Sequence, residues 1–290
     1  MDKIKLYAPA KINLSLDITG IKKNGYHELE MIMQSISLYD IIIIEKKLQG
    51  INLEVNHRSL STGKDNLVYQ AAETLLKETK SKKGVNIYLD KNIPVAAGLG
   101  GGSSDAAAVL KGINRLYNIN YSKKKLKKMG KRIGTDVPFF IDGGTALATG
   151  MGEEITQLPD IFSQKILLIN PDIQVKTKNI YREYDNIKPE VKIPTFSLVD
   201  IIKNKKEIHW DEGWNNILEP VTNDMTKDIA EIKRVLKEKY NIKFCLMTGS
   251  GPTVFAIIDN WKIAREILTS WPRKKDKIFL TATLSRNYIF

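Results

Sequence analysis

The chain has 290 residues, 42% of them hydrophobic, enough for a sizeable core shared between two domains. Lysine and arginine outnumber aspartate and glutamate by 45 to 33, a formal net charge of +12 that favours acidic ligands and brings nucleic acid into consideration. One cysteine, Cys245, excludes an internal disulfide framework, and three histidines with no close ligand pair argue against a structural zinc site.

The opening residues Met1-Asp-Lys-Ile-Lys-Leu-Tyr-Ala-Pro9 carry no apolar signal core, and no run reaches the length of a membrane span, so a cytoplasmic protein is expected. Residues 4–7 and 12–18 read as two strands, with Asn24-Gly25 supplying turn chemistry after them. Lys11, inside Ala8-Pro-Ala-Lys-Ile-Asn-Leu14, sits at a strand start where an ordinary core would prefer an apolar side chain. Residues 35–46 contain Ile41-Ile-Ile-Ile44, a strong strand signal, and 51–55 can pair with it. Residues 66–78 are helical, with Leu67, Ala71, Leu75 and Leu76 on one apolar flank and Asn66 in position to cap.

After an alternating strand over 85–89 comes the most informative segment, Pro94-Val-Ala-Ala-Gly-Leu-Gly-Gly-Gly-Ser-Ser-Asp-Ala-Ala-Ala108. Gly98, Gly100, Gly101 and Gly102 remove bulk where a ligand approaches the backbone. Ser103, Ser104 and Asp105 offer N-cap chemistry ahead of a helix over 106–117, whose stripe is Ala106, Val109, Leu110, Ile113, Leu116 and Tyr117. Strand, glycine loop and helix N-terminus together make an anion-binding unit, and phosphate is the expected ligand. The segment lacks the lysine of a Walker A loop, and Ser103 stands where G-x-G-x-x-G counted from Gly98 needs glycine.

Lys123-Lys-Lys-Leu-Lys-Lys-Met-Gly-Lys-Arg132 reads as a solvated helix face with Leu126 and Met129 inward; it lacks the interleaved aromatics of a nucleic-acid surface. Gly134-Thr-Asp-Val-Pro-Phe-Phe140 sets Asp136 against an apolar run, and 142–150 suggests strands returning through glycine bends. A domain junction is expected at Leu158-Pro-Asp160, giving units of 1–158 and 159–290. The second opens with a strand over 165–169 and the turn Asn170-Pro171, followed by a loop of undefined extent over 186–210 and a helix over 225–239. Strands over 242–246 and 253–259 flank a further glycine loop, Met247-Thr-Gly-Ser-Gly-Pro252. A helix over 261–269 and a strand over 277–284 complete an α/β sandwich.

A carboxylate among apolar neighbours needs a partner, and the chemical hypothesis is that Lys11 and Asp136 meet beside the phosphate loop. Asp136 would accept or orient an alcohol proton, and Lys11 would steady Asp136 and the charge on a transferred phosphoryl group. The competing readings are an exposed strand lysine and an Asx-type cap or turn. Mg²⁺ would bridge nucleotide phosphates, through Ser103 or through water.

The order of these motifs resembles the 4-diphosphocytidyl-2-C-methyl-D-erythritol kinase family within the GHMP small-molecule kinases. Residues 8–14, 94–108 and 247–252 match the superfamily pattern; Gly25-Tyr-His-Glu-Leu29, Gly134 to Phe140 and Asn66-Leu-Val-Tyr-Gln-Ala-Ala72 match the narrower family. The resemblance implies an α+β GHMP kinase fold, a ribosomal protein S5 domain 2-like N-terminal domain with a ferredoxin-like C-terminal domain and the substrate between them. It implies ATP and Mg²⁺ as cofactors, Lys11 and Asp136 as the catalytic pair, and Pro94, Gly98, Leu99, Gly100, Gly101, Gly102, Ser103 and Ser104 as the triphosphate loop, with Asn66 near the nucleotide. Asn13, Tyr26, His27, Thr177 and Tyr181 match positions on the side of the cytidine-diphosphate-linked methylerythritol substrate, Tyr26 as a cytosine platform. Asp105 departs from the asparagine common in relatives. No nucleic-acid or membrane partner is implied, and the sequence does not decide between monomer and homodimer.

Overall fold

The computed structural model describes residues 1–23, 25–79, 83–191, 193–210 and 212–286. The strands expected over 4–7 and 12–18 are one, β1 (Lys3–Ile21), paired antiparallel along its length with β2 (His27–Lys47). The chain stays extended through Pro9 because the ladder shifts register between Pro9 and Ala10, where a residue without an N–H is tolerated. Burial in β1 alternates from Lys3 to Ala8 and is then continuous to Leu16. The first part therefore has one wet face, and the middle is covered on both. Gly25 (φ +81°) closes the hairpin, donating to the Lys22 carbonyl at 2.9 Å while Tyr26 accepts from Lys22 at 2.7 Å. Asn24, the other residue of that expected turn, lies outside the described residues.

Next come β3 (Ile51–Val55), α1 (Leu67–Glu78) and β4 (Gly84–Asp90). Contrary to expectation, β3 does not pair with β2; it runs parallel to β4, which lies between them. A parallel pair needs a crossover, and α1 provides it. The helix α2 (Gly101–Leu116) starts five residues earlier than the expected Ala106. Gly100, in the left-handed region at φ 70°, is its N-cap with no side-chain cap bond, and the Ser104 N–H closes the first turn on the Gly100 carbonyl at 2.9 Å. Ser103 and Ser104 are thus first-turn residues rather than caps, and Asp105 opens the second turn. The sheet is completed through α3 (Lys123–Gly130), α4 (Val137–Asp142), β5 (Thr145–Thr149) and β6 (Glu154–Gln157), in the order β3-β4-β2-β5-β6 with β1 on β2. Leu126 and Met129 of the lysine-rich α3 are buried as expected.

The second half carries β7 (Lys165–Asn170), α5 (Thr177–Ile187), α6 (Thr195–Lys203), α7 (Leu218–Met225), α8 (Asp228–Tyr240), β8 (Phe244–Met247), β9 (Val254–Ile258), α9 (Trp261–Ser270) and β10 (Lys277–Ala282). Its antiparallel sheet has the order β10-β7-β9-β8. The region expected as a loop over 186–210 contains α6, whose Leu198, Val199 and Ile202 are buried. Cys245 is buried within β8. Backbone bonds tie the halves together: the Leu16 N–H donates to Asn215, Ile217 donates back to Leu16, and Leu284 donates to Ser35. No helix among the described residues is long and apolar enough to cross a membrane.

One half-buried cation, Lys111, sits between α2 and α4. Lys111 donates to the Phe140 carbonyl at 3.1 Å, and burial, with help from Lys123, lowers its pKa to about 8. Between about pH 8 and the ordinary lysine value the unfolded chain binds more protons at this site, so the native state gains stability as pH rises through that window. Relative to Lys111→Met, the wild-type melting temperature should therefore climb between pH 8 and 10; parallel curves in thermal scans would overturn the assignment.

Candidate active site

A single cleft of about 1320 Å³ collects most of the residues singled out above. Alternation along β1 sends Ile12, Leu14 and Leu16 into the core and places Lys11 and Asn13 on the opposite face. Lys11 is 4% exposed. Its ammonium donates to Asn13 Oδ1 at 2.5 Å and to the Gly98 carbonyl at 2.9 Å, and lies 3.9 Å from Asp136 Oδ2. Burial lowers the pKa of Lys11, and the Asp136 charge opposes that shift. The exposed-lysine reading is therefore wrong. Asp136 precedes α4 and makes no side-chain cap bond there, so the Asx-cap reading fails as well.

The glycines are required where the loop meets its neighbours. A Cβ on Gly100 would lie 2.9 Å from the Phe140 ring and 3.0 Å from Lys11 Cγ; one on Gly98, at φ +74°, would lie 2.2 Å from the Thr248 carbonyl oxygen. The loop thus packs against Lys11, against the α4 ring behind Asp136, and against the second glycine loop. The uncapped N-terminus of α2 presents amides and the positive end of its dipole to the cleft. Ser103 Oγ would lie 3.5 Å from a Cβ on Gly134, next to the turn that holds Asp136.

Beneath the loop is a buried network that the sequence reading missed. Lys91 Nζ pairs with Asp40 and, at 2.8 Å, with Asp105, while Asp40 Oδ1 also accepts the backbone N–H of Asn92 and Ile93. Burial alone would lower the Lys91 pKa, but the two carboxylates more than offset it and raise it. Asp105 is pushed well up by its own burial. Asp105, expected as a cap, instead anchors the second turn of α2 to the residue that follows β4. Its partner Lys91 lies 14 residues upstream, and no local pattern in the chain announces Asp40, which completes the network.

The other predicted contacts fall at different depths. Pro94, Leu99, Gly101 and Gly102 line the cleft along the loop. Asn66 lines its far side, but its side chain caps α1 through the Val68 N–H at 2.9 Å and donates to the Ser61 carbonyl at 2.7 Å. Asn13 is fully buried, its carbonyl on Lys11 and its amide on Met31 Sδ. Tyr26 is 61% exposed at the rim. His27 Nε2 pairs with Asp185 at 2.8 Å, and its ring lies 4.9 Å from that of Tyr181 and 5.7 Å from that of Tyr184. Thr177 Oγ1 and Ser250 Oγ share a bond of 2.9 Å. Asp185 and Tyr184 were not singled out from the sequence; the α5 register that sets them against His27 was the missing signal.

For Mg²⁺ the available donors are few and hard. Among the described residues no cluster of three or more His, Cys, Asp or Glu forms a cage. Ser103 lines the cleft and adjoins the Asp136 turn, whereas the Ser104 hydroxyl is buried behind it without a hydrogen-bond partner. That set fits an ion carried mainly on phosphate oxygens.

Because the Thr248 carbonyl is backbone and cannot yield, Gly98→Ala should cost about 1–3 kcal/mol through backbone strain, with further loss from the clash. Urea unfolding would measure it, and an unchanged midpoint would contradict the packing described.

Residues 66–144 match the GHMP kinases N terminal domain and residues 198–277 the GHMP kinases C terminal domain. The 4-diphosphocytidyl-2-C-methyl-D-erythritol kinase of Clostridium beijerinckii is 44% identical over 283 residues, covering 97% of this chain and 100% of the relative. The corresponding kinase of Clostridioides difficile is 45% identical over 267 residues, covering 90% and 88%. A crystal structure of 4-(cytidine 5'-diphospho)-2C-methyl-D-erythritol kinase superposes with a TM-score of 0.81 at 29% identity, over 97% of this chain and 99% of that one. Homoserine kinase from Cytophaga hutchinsonii, with a TM-score of 0.76 at 18% identity over 98% and 95%, shares the fold. The chain belongs to the 4-diphosphocytidyl-2-C-methyl-D-erythritol kinase family, with the two-domain α+β fold of the GHMP kinases.

Proposed function

We infer that the chain transfers the terminal phosphoryl group of ATP to the 2-hydroxyl of 4-diphosphocytidyl-2-C-methyl-D-erythritol, yielding ADP and the 2-phosphate, and that it works in the cytoplasm. The observation that carries the mechanism is the Lys11–Asp136 pair, 3.9 Å apart, at the mouth of the glycine loop in one cleft. Family membership supplies the reaction class. Residues 1–158 would provide the loop and the pair, and 159–290 the opposite wall through α5 and the 247–251 loop.

In this reading the substrate oxygen bonds to the terminal phosphorus as the bond from that phosphorus to the bridging oxygen breaks. The hydroxyl proton passes to Asp136, and the electron pair of the broken bond leaves with ADP. Amides from Gly98 to Ser103 cradle the phosphates, and Lys11, held by Asn13 and Gly98, offsets charge on the phosphoryl group in flight. Mg²⁺, when bound, would supply charge neutralisation on the phosphate oxygens, with Ser103 as the cleft-lining hydroxyl beside it. Asn66 borders the nucleotide. On the acceptor side Tyr26 offers a ring for cytosine, His27 its polar edge, and Thr177 and Tyr181 close the wall. The net charge of +12 suits two polyanionic reactants.

Asp136→Asn should lower turnover about 10²–10⁴-fold with ATP affinity retained, and Lys11→Ala should slow single-turnover transfer by about 10²–10³-fold. Near-normal rates in either variant would remove that residue from the mechanism. A panel of acceptor alcohols with ATP should show the cytidine conjugate dominating; preference for another alcohol would reassign the substrate. Tyr26→Ala should weaken binding of the cytidine substrate by about 1–3 kcal/mol, the usual worth of an aromatic base platform, and leave ATP binding alone. Equal losses for both ligands in calorimetry would refute the stacking role.

A further inference from the structure

The Lys11 ammonium is held by two oxygens, Asn13 Oδ1 and the Gly98 carbonyl, and a third group reaches both. The Thr248 hydroxyl lies 3.4 Å from Asn13 Oδ1 and 3.3 Å from the Gly98 oxygen. It also accepts the Asn13 backbone N–H at 2.9 Å. Each acceptor oxygen has two lone pairs, so ammonium and hydroxyl can share it. The hydroxyl has one proton, which the two oxygens divide, and its own lone pair fixes the Asn13 backbone.

Thr248 is itself held firmly. It is fully buried. Asn216, also fully buried, donates through its side-chain amide to the carbonyls on either side, Met247 and Gly249, both at 2.8 Å. The Thr248 N–H donates to the Thr253 carbonyl at 3.0 Å, and its carbonyl accepts from Gly251 at 3.0 Å. Glu219 Oε2 accepts the Met247 N–H at 2.8 Å and is ion-paired to Lys233. The peptide units around this side chain are therefore pinned by groups from the second half of the chain, while the hydroxyl reports their position to the two oxygens that aim Lys11.

We propose that Thr248 is a positioning residue for Lys11: its hydroxyl carries the placement of the 247–251 loop to the ammonium, so that the charge stands where phosphoryl transfer needs it. This rests on the role given to Lys11 above. Thr248 touches neither reacting atom in this account. Losing the hydroxyl leaves the buried Asn13 N–H unpaired and lets the Asn13 amide and the Gly98 carbonyl relax together, carrying Nζ with them. A displacement near 1 Å at such a group costs about 100-fold in rate.

The test is a kinetic series measured below the melting temperature of every variant. Thr248→Val keeps the shape and removes the hydroxyl; its kcat should fall about 10–100-fold with both KM values nearly unchanged. Thr248→Ser should recover most of the rate, and Thr248→Ala serves if the valine variant does not fold. In the Lys11→Ala background, Thr248→Val should add little or no further loss of single-turnover rate, a coupling that a merely structural threonine would not show. Wild-type kcat for Thr248→Val, failure of serine to rescue, or the same fold-loss with and without Lys11 would each overturn the positioning role while leaving Lys11 in place. A Lys11→Ala enzyme of normal rate would instead overturn the reading of Lys11, and this role with it.

Discussion

A buried ammonium is costly unless oxygens surround it, and the placement of Lys11 organises this molecule. Its cost is offset by Asn13, by the Gly98 carbonyl and by the neighbouring Asp136. Each comes from a different part of the chain: β1 itself, the glycine loop and the turn into α4. The backbone must therefore converge to within van der Waals contact at Gly98 and Gly100, which is why side chains are absent there. The cation and the loop's helix N-terminus then share one small volume, a combination suited to polyphosphate.

The loop needs rigid support because its helix has no side-chain cap. From below, Lys91 ties Asp40 at the β2–β4 end of the sheet to Asp105 in the second turn of α2. From above, the 247–251 loop presses on Gly98 and is itself clamped by Asn216. The amides of α2 are thus pre-oriented before any anion arrives, which is how electrostatic catalysis avoids reorganisation during the reaction. On the acceptor side the architecture is looser: α5 meets β2 through His27 with Asp185, Tyr181 and Tyr184, and Tyr26 stands at the rim. A rigid donor side and a more open acceptor side suit a kinase that must admit a large second substrate.

Elements with strong local signals were legible in the chain. The tetra-isoleucine strand, the alanine-rich helix, the lysine-rich helix with Leu126 and Met129 inward, and the glycine loops all carry periodicity or turn chemistry that short-range sterics enforce. Errors came where long-range pairing decided the outcome. Residues 51–55 could satisfy a neighbour on either side, and the β4 ladder took the place beside β2. Residues 4–7 and 12–18 read as two strands, but the continuous β2 partner holds them as one. The short α6, preceded by Pro189 and Pro194, has too few turns for its stripe to stand out.

By itself the sequence determined which residues stand out as candidates for the chemistry: a glycine run before a helix, an out-of-place lysine in a strand, and an aspartate against an apolar run are local anomalies that ordinary packing does not produce. Tertiary structure alone decided what those residues touch. Lys11 and Asp136 are 125 positions apart, Asp40 and Asp105 are joined only through Lys91, and Thr248 reaches Asn13 across 235 positions. The physical reason is that a hydrogen bond or ion pair acts over a few ångströms of space and is blind to separation along the chain, so its partners are named only once the strands and loops have closed around them.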